Sequence, residues 1–185
     1  MKLILPIMLA LTLGACTTLE QSNRISTRLV GKEFNSIASR YLDRPTFAAI
    51  ERMSDKATVL RVKMSMYGSK ESNLPFLQGR SAAYVAHIDK FLEWEALAKS
   101  RGDALTKDIG RVPAWSNGPS GDLKFVFHSG NAATHFLAIS FCAAGTCLDN
   151  QTVYFDAASV QELRRLLLAL DDGSLGKASV DSVYK

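Results

Sequence analysis

Histidines, cysteines, serines and paired carboxylates are the side chains that most often do chemistry, and this 185-residue chain holds few of them in a usable arrangement. Its three histidines are His87, His128 and His135. None of their spacings matches a metal-ligand motif, in which the ligands must converge on one ion. His128 and His135 flank one hairpin loop, and the register given below puts them on opposite faces, so no metal site is expected. A serine nucleophile fares no better. Gly118-Pro119-Ser120-Gly121 lacks the Gly-x-Ser-x-Gly spacing of a nucleophile elbow and its strand–turn–helix context. Cys142 and Cys147 could attack only as free thiolates beside a base, and His135 lies roughly 23 Å from Cys142 along one strand. Glu93 and Glu95 share a strand face and read as solvated surface. Arg101-Gly102-Asp103 reads as a turn, because glycine between polar residues suits one. No catalytic residue, metal or cofactor is expected, and no small-molecule ligand is inferred.

One stretch is suited to recognition instead of catalysis. Val112 to Asp122 contains Pro113-Ala114-Trp115-Ser116-Asn117-Gly118-Pro119, an irregular loop stiffened by two prolines and carrying one large aromatic. An exposed tryptophan there would be a natural anchor for a partner, with Asn117 beside it. The competing arrangement folds Trp115 back as a lid on the core.

The start of the chain carries a different chemistry. Met1 and Lys2 precede an apolar run from Leu3 to Leu13, interrupted by Pro6 and Thr12, and then Leu13-Gly14-Ala15-Cys16. The run is too short for a spanning helix, which needs about 20 apolar residues, and has the length of a secretory h-region. This segment resembles the lipobox of bacterial lipoprotein signal peptides: a leucine, two small residues, and a cysteine that is acylated and becomes the first mature residue. The resemblance implies cleavage after Ala15 and a lipid on Cys16. Because Thr17 and not aspartate follows the cysteine, it further implies, in a double-membraned bacterium, an outer-membrane protein facing the periplasm. Cys142 and Cys147 then remain as a pair in an oxidising compartment. Five positions apart, they read as one local disulfide.

These positions must be held by elements that the hydrophobic pattern outlines. Thr17 to Ser22 are mostly polar and read as a tether. Val30, Phe34, Ile37, Ala38 and Tyr41 recur at helical spacing, which predicts a first amphipathic helix ending at Arg44-Pro45. Thr46 to Met53 and Ala57 to Met66 predict a hairpin, and Tyr67 to Arg80 a loop. In Ala82 to Ala98, period two fits better than the helical alternative, in which Glu95 would fall within the apolar face. A long strand is expected, turning through Ser100 to Asp103 into a partner over Ala104 to Val112. Leu123, Phe125 and Phe127 alternate with polar positions and return through Leu137, Ile139 and Phe141 after Ser129-Gly130-Asn131. A one-residue slip would scatter that apolar set, so the register is well specified. Thr152 to Phe155 predicts a short strand. Asp156 is an N-cap for a helix carrying Val160, Leu163, Leu167 and Leu170, which Asp171-Asp172-Gly173 stops.

The expectation is an α+β fold: a predominantly antiparallel sheet of six or seven strands, with an amphipathic helix near each end of the mature chain. It is divided into a signal peptide over 1–15, lipidated cysteine and tether over 16–22, one domain over 23–175 and a polar tail over 176–185. Removing the signal peptide with Lys2 lowers the formal charge from +4 to +3. Basic residues are scattered among acids, which does not fit a nucleic-acid binder. The expected partners are the membrane, through the lipid on Cys16, and envelope proteins. The expected function is a non-enzymatic binding or assembly-accessory protein of the cell envelope. An envelope hydrolase or other enzyme whose residues meet only in three dimensions is the alternative.

Overall fold

The alternation of Leu123, Phe125 and Phe127 becomes the middle of the molecule. In the computed structural model, which describes residues 17–115 and 121–175, β1 spans Leu19–Ile25, β2 Gly31–Asn35, β3 Arg40–Arg44, β4 Thr46–Met53, β5 Thr58–Ser65 and β6 Glu71–Leu77. Helix α1 spans Ser81–Arg101, followed by β7 Thr106–Ala114, β8 Gly121–Asn131, β9 Thr134–Ala143, β10 Thr146–Cys147, β11 Val153–Phe155 and α2 Ala157–Asp171. The strands form two antiparallel sheets: a small one in the order β1-β4-β5-β6, and a seven-stranded one in the order β3-β2-β11-β9-β8-β7 with β10 beside β9. The α+β class with antiparallel pairing is as the pattern predicts, but two sheets share the strands.

The β8–β9 register pairs Leu123 with Phe141, Phe125 with Ile139 and Phe127 with Leu137, as expected. The turn falls at 132–133, where the Asn131 side chain accepts the Ala133 and Thr134 amides. The apolar face so formed is covered by α1 and α2. One continuous core joins Leu60, Val62 and Phe76 of the small sheet, Tyr84, Ile88 and Phe91 of α1, the β8–β9 face, and Val160, Leu163 and Leu167 of α2. Each such side chain contributes about 1.5–3 kcal/mol by leaving water. Tyr84 ties these layers together. Its hydroxyl donates to the Pro113 carbonyl at 2.8 Å and accepts the Leu77 amide at 3.3 Å.

Several elements differ from the pattern. Residues 30–41 are not a helix but contribute to the β2–β3 hairpin, with Phe34 opposite Tyr41. Two members of their helical stripe stay uncovered, Phe34 at 48% and Ile37 at 96% exposed. Gly31 lets the start of β2 pack closely here, since a Cβ would come within 2.5 Å of Met64 Sδ and 2.8 Å of Val153. The helix expected near the start of the mature chain does not form, and the first helix among the described residues is Ser81–Arg101.

Residues 82–98 are helix α1, not a strand. Tyr84, Val85, Ile88, Phe91, Glu95 and Ala98 form its buried face at spacings of one, three and four. Glu95, the objection to a helix, is answered one turn later by Lys99, whose ammonium pairs with its carboxylate. Gly102 then caps the helix in the left-handed region at φ 70°. The strand expected over 104–112 forms as β7 but pairs with β8.

The loop expected over 67–80 contains strand β6, and Pro75 is tolerated because β6 is an edge strand. The tether expected over 16–22 is mostly strand, since β1 begins at Leu19 and pairs with β4. The C-terminal helix forms as predicted, with Asp156 accepting the Ser159 amide at 2.9 Å and Gly173 at φ 68° beyond its end. Cys142 and Cys147 form the expected disulfide. Cys16, Asn117 and the tail over 176–185 lie outside the described residues.

Candidate functional site

The small sheet has two faces. Along β5, Leu60, Val62 and Met64 point into the core, so alternation sends Arg61 and Lys63 to the outer face. Trp115, leaving the end of β7, folds over that outer face against Met53 and Val59, with Ala57 and Leu77 at the edge of the cluster. It is 9% exposed, so the ring lies back on the protein as a lid over this satellite cluster.

Beneath it sits a desolvated ion pair. Arg61 Nε donates to Glu51 Oε2 at 2.7 Å, and Nη1 donates to Asn73 Oδ1 at 3.2 Å. The Arg61 guanidinium carbon lies 5.2 Å from the centre of the Trp115 ring. Both charged residues are buried. Arginine suits the place because its planar, weakly hydrated cation can bond a carboxylate and lie against an aromatic ring together.

The first described residues of the chain complete the arrangement. The Thr18 amide donates to Ser54 Oγ at 2.9 Å, and the Ser54 amide donates to the Thr18 carbonyl at 2.9 Å. These bonds fix Thr17 and Leu19 in the wall of a cleft of about 470 Å³ that also meets Arg61, Lys63, Asn73 and Trp115. The arrangement holds charge and an aromatic edge in fixed positions, which suits recognition.

The histidines are separated as the register requires. His128 lies on the outer face of the large sheet, hydrogen-bonded to the Tyr41 hydroxyl and, at 3.0 Å, to Thr106 Oγ1. Around it Phe34, Tyr41, Phe136 and Tyr154 pack ring to ring, with Tyr41 centred 4.4 Å from Phe136. Burial pushes the Tyr41 hydroxyl up to about 12, raises Tyr154 and lowers His128, so this cluster is uncharged at neutral pH. His135 faces the other side, stacked 5.4 Å from Phe127, with Nδ1 bonded to Ser129 Oγ at 2.8 Å. His87 on α1 packs against Phe125 and over Gly110, where a Cβ would come within 2.7 Å of its Nε2.

A second cleft, about 380 Å³, opens at the start of α2 and was not foreseen from the sequence. His135, Tyr41, Glu95, Lys99, Lys32 and Asp156 line it, drawn from five separate elements. Only the Asp156 cap had a local signal. Its carboxylates are already engaged: Glu95 with Lys99, and Asp156 with the Ser159 amide and with Lys32 at 3.3 Å. Among the described residues, no three His, Cys, Asp or Glu side chains are grouped to hold a metal ion.

Comparison with protein families, with characterised proteins and with solved structures found no match to this chain. The function is therefore read from the chemistry of these surfaces.

Proposed function

We propose that this protein is a lipid-anchored lipoprotein of the cell envelope, attached through Cys16 to the outer membrane and facing the periplasm. On this reading it works by binding or assisting assembly, and the cleft around Trp115 and Arg61 is its recognition surface. One observation carries the choice of surface: Thr17, the residue after the anchor cysteine, lines the same cleft as Trp115. The lipid and the recognition surface then lie at one end of the domain. The Arg61–Glu51 pair and the Trp115 lid make a rigid floor for the cleft, and Lys63 and Asn73 at its rim are the polar groups left to meet a partner.

The test combines anchoring and partner capture. Palmitate should label the wild-type chain and not Cys16→Ala, and the mutant should leave the membrane fraction. Crosslinking in cells should trap an envelope component through the Trp115 cleft, and Lys63→Glu should weaken that capture while the protein stays abundant and membrane-bound. Full palmitate labelling and membrane retention of Cys16→Ala would sink the anchoring, and undiminished capture by Lys63→Glu would sink the choice of cleft.

A specific observation also favours an enzyme as the second reading: His135 and two carboxylates meet at the second cleft. Loss of function in His135→Gln with normal folding and localisation would transfer the assignment to that cleft.

A further inference from the structure

The distance from the lipid to the folded domain is fixed by the chain itself. Only Thr17 and Thr18 separate Cys16 from β1, and Thr18 is held to Ser54 by two hydrogen bonds of 2.9 Å. Two residues reach at most about 7 Å. An acylated cysteine sits at the boundary of the hydrocarbon, and the polar layer above that boundary is about 5–7 Å thick per leaflet. Thr18 therefore cannot rise above the top of the headgroups by more than about the width of one atom layer.

We infer that the end of the small sheet formed by Leu19, the β4–β5 turn and the rim of the Trp115 cleft is seated directly on the phospholipid headgroups. The inference rests on lipidation of Cys16 and deepens the proposed function by naming the bilayer surface as what this end of the cleft meets. Its chemistry is consistent with such seating. Leu19 is 52% exposed, an apolar side chain free to reach the headgroup layer beside the anchor. Exposed cations and anions alternate there, Arg52 and Lys56 with Glu20 and Asp55. Seating thus depends on the anchor and the short chain, not on attraction to anionic lipid, and it should survive high salt. A soluble partner would have to approach the cleft along the membrane plane.

The experiment uses the lipidated full-length mature protein in phosphatidylcholine vesicles containing a lipid with a nitroxide on its headgroup. The chain has two tryptophans, so Trp94→Phe leaves Trp115 as the sole indole. Its emission should be quenched by the nitroxide, equally at low and high salt. A second reporter, a fluorophore on Lys56→Cys, should be quenched alike and covers the case in which Trp94→Phe folds poorly. Inserting about twelve Gly/Ser residues between Thr17 and Thr18 adds a leash of roughly 20 Å and should return both signals to the unquenched level. If intact mass shows the acyl chains and the protein floats with the vesicles, yet neither reporter is quenched or the insertion changes nothing, the seating is refuted and the anchoring stands. If intact mass shows no acyl group, the anchoring is refuted and the seating falls with it.

Discussion

Removing Glu51 should expose how much the candidate site depends on its buried ion pair. Arg61 and Glu51 are both under a tenth exposed, and their bond is 2.7 Å. In Glu51→Ala the guanidinium keeps, among the described residues, Asn73 and the Trp115 ring as partners. Leaving one member of a buried pair uncompensated costs about 3–5 kcal/mol. The cation over the indole recovers part of that, about 1 kcal/mol, which leaves a net loss of about 3 kcal/mol. For a domain of this size the melting temperature should fall by about 6–12 °C. Adding Arg61→Met removes the stranded charge and lays an apolar chain against Trp115. The double variant should therefore regain about 2 kcal/mol relative to Glu51→Ala. Thermal and urea unfolding of the wild type, Glu51→Ala, Arg61→Met and the double variant, followed by tryptophan fluorescence and far-ultraviolet circular dichroism, close the cycle. A shift below about 2 °C for Glu51→Ala, or strictly additive losses in the double variant, would show that Arg61 and Glu51 do not act as a desolvated unit.

Two further outcomes can be checked on the same protein. Arg165 donates to Glu162 at 2.8 and 2.9 Å, Thr27 adds a bond at 2.9 Å, and these partners hold the Glu162 carboxyl down at about 2 against an ordinary 4.5. Its folded-state value lies below its unfolded one, so its contribution, about 1–2 kcal/mol once the half-exposed Arg165 is screened by water, is present above the ordinary value and is lost as pH falls from near 5 towards 2. Glu162→Gln should flatten that part of the stability–pH curve, and a parallel acid limb in mutant and parent would contradict the assignment. The Cys142–Cys147 loop is short, so Cys142→Ala/Cys147→Ala should lose only about 2 kcal/mol by urea unfolding and still fold; a loss of folding would show that the loop supports more than itself.

The legible parts of this chain are those whose physical cause is local. The β8–β9 register follows from alternation on both sides of one turn, and α2 from an N-cap, a stripe and a closing glycine. The cysteine pair needed only an even count and a short spacing. Residues 30–41 and 82–98 defeated the same reasoning because a stripe records spacing and not what lies opposite it. Phe34 and Ile37 keep helical spacing yet stay exposed, since β3 and β11 pair with the backbone of β2, Tyr154 meeting Lys32 across over a hundred residues, and Ile37 falls in the β2–β3 turn. Glu95 argued against a helix until Lys99 stood beside it, and the β8–β9 face gave α1 something to cover.

By itself, then, the sequence determined the disulfide, the β4–β5 and β8–β9 hairpins and the last helix. Only the tertiary structure decided that Thr17 and Leu19 meet Arg61 and Trp115, because those residues approach through strand pairings across dozens of positions. The same holds for the cleft where His135, Glu95 and Asp156 converge. Neighbours in the chain fix local geometry, whereas a site is made by elements competing for one core, and that competition leaves no periodic trace.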